Sequence, residues 1–313
     1  MILGKIYDRL FLKFPVYLPV LYASILYNFH NYENVLVFLT LLLLAEPHFG
    51  ATWPFFLNKK NRKYIIENPF YLVFFPFFLV LFCVFLFFFY KNFFYLFFLV
   101  FNFFHVTKQS IGISKLFLKT ISEINFQTYC IIMYGIFFLI IAILRFYFNI
   151  ELINKNLLIF NFIVLGSIIS ITFWYILKFR VTDNVLTLLT GILIFYPICF
   201  VDKPIHGIIM GVTMHYVQYL TLTYKVSLGR LLEKKSSIFF FDKNFILIIF
   251  FYGIIMSVIS LFSKNNVFDA NIGFLLFIPL IGQILHFYLD SFLWKFSEEH
   301  HRDVTLKYIR NKN

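Results

Sequence analysis

Four histidines, His48, His105, His215 and His286, each fall near the middle of an apolar stretch long enough to cross a bilayer. An imidazole in hydrocarbon costs free energy unless it is paired, ligated or facing a cavity, so ionisable groups inside such stretches are candidates for function. The next boundary cation after each is Lys59, Lys115, Lys225 or Lys295, at separations of 11, 10, 10 and 9 residues. At about 1.5 Å of rise per residue, the four rings are expected roughly 14 to 17 Å from that boundary. That is close to the midplane of a ~30 Å hydrocarbon core.

A second polar layer follows one turn on, at positions that share a helical face with each histidine. It consists of Thr52, Gln109, Gln218 and Asp290. Neutral imidazoles with a carboxylate suit iron, zinc, copper or manganese, and no cysteine stands close enough in the sequence to indicate an iron-sulfur cluster. The expected metal ligands are therefore His48, His105, His215, His286 and Asp290. Asp290 is expected as a ligand or as a proton acceptor, with Gln109 and Gln218 positioning ligands or oxygen species. Glu46, Thr52 and Lys108 are expected around that set, and Pro47 should loosen the helix beside His48. Two other readings of the same residues are an interhelical polar network, in which Lys108 neutralises Asp290 or Glu46, and a transport pathway. His30 and His206 are expected to be solvated near one boundary, and His300 and His301 to lie on a solvated interfacial helix. Arg145 is expected to snorkel outward.

The elements that must carry these residues are membrane helices. Of 313 residues, 61% are hydrophobic and 13% charged, where a soluble domain has about 25% charged residues. Apolar windows predict an all-α polytopic integral membrane protein of nine or ten spans: 14–29, 35–57, 69–90, 93–115, 126–148, 157–177, 185–201, 205–224, 245–263 and 272–296. The first carries Pro15 and Pro19 and is read as a span or a re-entrant segment. With ten spans and a cytoplasmic N-terminus, 21 lysines and arginines fall on the cytoplasmic side and four opposite, the asymmetry expected of an inner-membrane protein. Both termini are then cytoplasmic, and residues 1–313 form a single transmembrane domain with no soluble domain.

The net charge of +12 sits in short loops, which points to membrane orientation and away from nucleic acid. Cys83, Cys130 and Cys199 lie in apolar stretches without metal-finger or disulfide spacing. The 49 phenylalanines accompany abundant Ile, Asn, Lys and Tyr, as AT-rich codons would produce in lipid-facing helices.

These features point to a membrane-embedded, histidine-ligated metalloenzyme: a non-haem iron oxygenase, desaturase or hydroxylase. Its partners would be a lipophilic substrate (lipid, isoprenoid or carotenoid), dioxygen, an electron donor and membrane lipids, in a bacterial inner membrane. The alternatives are a haem-binding or quinone-reactive electron carrier and a His/Asp proton-coupled transporter. The run Pro47, His48, Phe49, Gly50, with solitary histidines spread over several spans, resembles the Brp/Blh family of membrane beta-carotene dioxygenases. Phe49 stands where that family has Gly. The resemblance implies histidine-bound iron with His48 as a ligand.

Overall fold

The computed structural model describes residues 2–180, 183–233, 240–265 and 274–310, and every regular element among them is helical. We number the long helices α1 (Tyr17–Asn28), α2 (His30–Phe56), α3 (Phe70–Phe89), α4 (Lys91–Phe117), α5 (Ile121–Tyr147), α6 (Leu157–Phe179), α7 (Val185–Leu193), α8 (Pro204–Leu232), α9 (Phe245–Asn265) and α10 (Phe277–Leu293).

Among the described residues, six helices are long and apolar enough to cross a membrane: α2 to α6 and residues Phe245–Phe262 of α9. A seventh is obtained if Lys5–Lys13 and α1, bent by 53° at a break, act as one span. The ten expected crossings are thus too many, for local reasons. The 185–201 window folds as nine helical residues, then a tight turn at Tyr196–Cys199 that contains Pro197. Nine residues rise only about 14 Å. α10 has 17 residues, about 25 Å of rise. α8 is long, but its polar content keeps it out of the apolar set. The cation asymmetry was counted on ten crossings, so it does not assign sides to the loops. Lys234, Lys235 and Lys312, which entered that count, lie outside the described residues.

The faces of α3 follow from its composition. Phe77, Phe78, Phe82, Phe85, Phe88 and Phe89 are exposed, whereas Leu79, Cys83, Leu86 and Phe87 are buried with Phe94 and Ile284. Exposed phenylalanines on a 20-residue helix suit contact with acyl chains. All three cysteines are buried and unbridged.

Contacts divide the chain into two compact units. In the first (residues 3–37 and 102–218), Glu123, Gln127, Tyr175, Asn184 and Thr187 form a buried hydrogen-bonded network. Gln127 Nε2 donates to Tyr175 Oη (2.9 Å), and Tyr175 donates to the Glu123 carboxylate. Arg145 does not snorkel. It is buried, donating to the Ile198 carbonyl and to Asn154 Oδ1 (3.0 Å), because a guanidinium inside a bundle must satisfy its donors locally.

In the second unit (residues 38–101 and 219–313), α2 is irregular where its chemistry lies. A π-helical turn at Leu41–Ala45 runs into Glu46–Gly50, and Ala51 N–H is shared between the Pro47 and His48 carbonyls. Pro47 has no N–H to continue the helical ladder, so the turn widens. α9 packs closely on this stretch: a Cβ on Gly253 would sit 2.9 Å from the Pro47 ring, and one on Gly50 2.8 Å from the Tyr252 ring.

Candidate metal centre

In the second unit, α2 and α10 bring His48 and His286 into edge-to-face contact, with ring centroids 4.5 Å apart and both side chains fully buried. Phe49 and Phe287 enclose His286, and Tyr219 packs 4.4 Å from the His48 ring.

Hydrogen bonds tie His286 to a carboxylate. Thr52 Oγ1 lies 2.5 Å from His286 Nδ1, 3.0 Å from Tyr219 Oη and 3.0 Å from Asp290 Oδ1. Tyr219 donates to the same carboxylate oxygen at 2.8 Å. One hydroxyl therefore meets a ring nitrogen of His286 on one side and the carboxylate on the other. That is the arrangement by which a ligating histidine is oriented through its other nitrogen. Two members of the expected second layer, Thr52 and Asp290, meet at His286. Thr52 serves His286 rather than His48, and Asp290 Oδ1, 3.7 Å from His286 Nδ1, acts on the ring through the threonine.

Glu46 is fully buried, accepting from Gln283 Nε2 at 3.2 Å on the neighbouring turn of α10. Lys108, expected beside these carboxylates, is exposed on α4 with its ammonium over the Phe104 ring.

In the first unit, α4 and α8 bring His105 and His215 together, ring centroids 5.4 Å apart, both buried. Gln109 is half-buried one turn along α4. Gln218 does not turn toward a histidine; its amide donates to the Leu12 carbonyl at 2.6 Å and anchors the N-terminal segment. Each of His48, His105 and His286 offers a buried ring nitrogen of the kind that binds a metal ion.

Tyr219 is the residue against His48, His286 and Asp290 that sequence reasoning missed. It stands four residues after His215, on the same helical face by the i,i+4 rule, whereas Gln218 at i+3 drew the assignment.

Among the remaining histidines, His206 and His301 differ from expectation. His206 is buried, with Nδ1 2.7 Å from Tyr22 Oη and Nε2 3.7 Å from Glu33. His301 is buried at 1% exposure, and burial pushes its imidazole down to about 4. His30 is exposed, as expected, and pairs with the Leu26 carbonyl at 3.2 Å. His300 is half-buried and meets Asn61 Oδ1 at 2.9 Å. Beyond the spans, hydrogen bonds from Tyr308, Lys307 and Lys60 hold the Glu233 carboxyl down to about 2. Hydrogen bonds from Lys295 and Tyr64 likewise hold Glu298 below the usual carboxylate range.

No family model, curated protein or solved structure matches the chain.

Proposed function

We propose that the chain is a membrane-embedded metalloenzyme in which His48, His105 and His286 hold one metal ion, with His215 packed on His105, and that it oxidises a lipophilic substrate with dioxygen. The observation that carries this reading is the group of three buried histidines, His48, His105 and His286, each of which offers a ring nitrogen to an ion, with Thr52 Oγ1 2.5 Å from His286 Nδ1 to orient that ring.

Three neutral imidazoles suit a borderline divalent ion and leave coordination positions for other ligands. Iron is the metal proposed, because imidazole-bound iron supplies redox capacity toward dioxygen. This chain's own residues would hold the ion, exclude water with Phe49 and Phe287, and keep a carboxylate, Asp290, hydrogen-bonded one step behind the ring. Substrate would arrive laterally from the bilayer, as acyl or isoprenoid chains do. Two imidazoles on one haem iron need the whole macrocycle between them, and the edge contact of His48 with His286 favours a bare ion.

The test is the purified protein itself: metal content, visible spectrum and oxygen uptake with a lipid extract. The reading expects iron without a haem absorption band and oxygen uptake that depends on the extract. A haem spectrum would overturn it in favour of the electron carrier, and absence of bound metal would overturn both.

A further inference from the structure

A second group of metal-binding character lies away from the central histidines, where the C-terminal tail meets the helix Lys59–Glu67. Glu298 and His301 stand three residues apart, the spacing at which a helical turn brings two side chains together. His301 is 1% exposed, and neither of its ring nitrogens has a hydrogen-bond partner among the described residues. A buried polar group left in that state calls for an explanation, of which an ion is one.

The surroundings supply the rest of a site. His301 Nε2 faces Glu298 Oε2 at 3.6 Å. Two donors each 2.0 to 2.1 Å from one tetrahedral ion must lie ~3.3 Å apart, so a shift of a few tenths of an ångström suffices. Tyr64 donates to that same Glu298 oxygen at 2.6 Å, while Lys295 takes the other oxygen at 2.6 Å. The carboxylate is therefore oriented before any ion arrives, as ligating carboxylates commonly are. The Tyr64 ring stacks on His300 at 4.6 Å and meets His301 edge-on at 4.8 Å, so one tyrosine positions both sides of the gap.

We propose that Glu298 and His301 form a separate, open site for a borderline divalent cation such as Zn2+, with water completing the coordination. The site uses none of the central histidines.

Equilibrium dialysis of the purified full chain against Zn2+ tests it, comparing wild type with His301→Gln, Glu298→Gln and Tyr64→Phe, and each again in a His286→Ala background. Wild type is expected to bind one zinc more than His301→Gln, and His286→Ala to keep that zinc. Glu298→Gln should weaken it at least tenfold, and Tyr64→Phe about tenfold through loss of the orienting hydrogen bond. Thermal unfolding of each variant separates loss of the site from loss of the fold, and His301→Gln keeps a polar side chain of similar bulk. Equal zinc binding by wild type and folded His301→Gln would overturn the proposal whatever happens at the central histidines. A zinc lost in His286→Ala but kept in His301→Gln would likewise overturn it.

Discussion

Thr52→Val is the sharpest perturbation of the central site. Valine keeps the shape of threonine and removes the hydroxyl, and Thr52 is fully buried, so no water replaces it. Three interactions vanish: the 2.5 Å bond with His286 Nδ1 and the 3.0 Å bonds with Asp290 and Tyr219. His286 Nδ1 loses the hydroxyl that orients its ring. Outer partners of ligating histidines are worth about 10- to 100-fold in metal affinity, equivalent to about 1.4 to 2.7 kcal/mol. The buried polar groups left unsatisfied should also destabilise the apo fold by about 1 to 3 kcal/mol. The assay is chelator competition on purified protein, with thermal unfolding alongside. Thr52→Ser restores the oxygen and should bind metal like wild type. If Thr52→Val holds metal as tightly as wild type, Thr52 does not orient a ligating ring, and His286 is either not a ligand or is oriented by something else.

Three further outcomes follow from named contacts. Tyr219→Phe removes one of the two donors to Asp290 Oδ1 and should weaken metal binding less than Thr52→Val, because the Thr52–His286 bond survives; a larger loss would make the phenol itself a ligand. Gly211→Ala places a Cβ 2.0 Å from the Ile194 carbonyl oxygen, where no side-chain rotation relieves the clash, and should cost about 3 kcal/mol or more. Gly112→Ala meets nothing within 4 Å and should be neutral or gain up to about 1 kcal/mol; equal melting temperatures for the two variants would contradict the packing of α8. Glu233 is held down to about 2 in the folded chain, against an unfolded value of about 4.3. A depressed carboxyl stabilises above the unfolded value and loses that contribution as pH falls through the folded one. Protection of the C-terminal tail from proteolysis should therefore fall between about pH 4.3 and 2, and Glu233→Gln should flatten that dependence.

The sequence exposed the chemistry better than the architecture. The four histidines and Asp290 were visible because hydrocarbon makes any imidazole or carboxylate conspicuous, and the i,i+4 relation of His286 and Asp290 is fixed by helix geometry. Which partner each polar residue chooses was not visible. Thr52 shares a face with His48 yet bonds across to His286, and Gln218, one residue before Tyr219, swings about 100° away to Leu12. The span count failed because hydropathy does not distinguish a helix facing lipid from one buried in protein. α7 is apolar, but Val185, Leu188, Gly191 and Ile192 are buried. The buried state of His206, Arg145 and His301 depends on Tyr22, Ile198 and Tyr64, each distant in sequence.

The central claim is that buried histidines from separate helices hold one metal ion. The direct measurement is bound metal in protein purified from the membrane without chelator, for wild type, His48→Ala, His105→Ala, His286→Ala and His30→Ala. The account predicts stoichiometric metal in wild type and His30→Ala and loss in the other three. Equal retention in all five, or a wild type without metal, would contradict it.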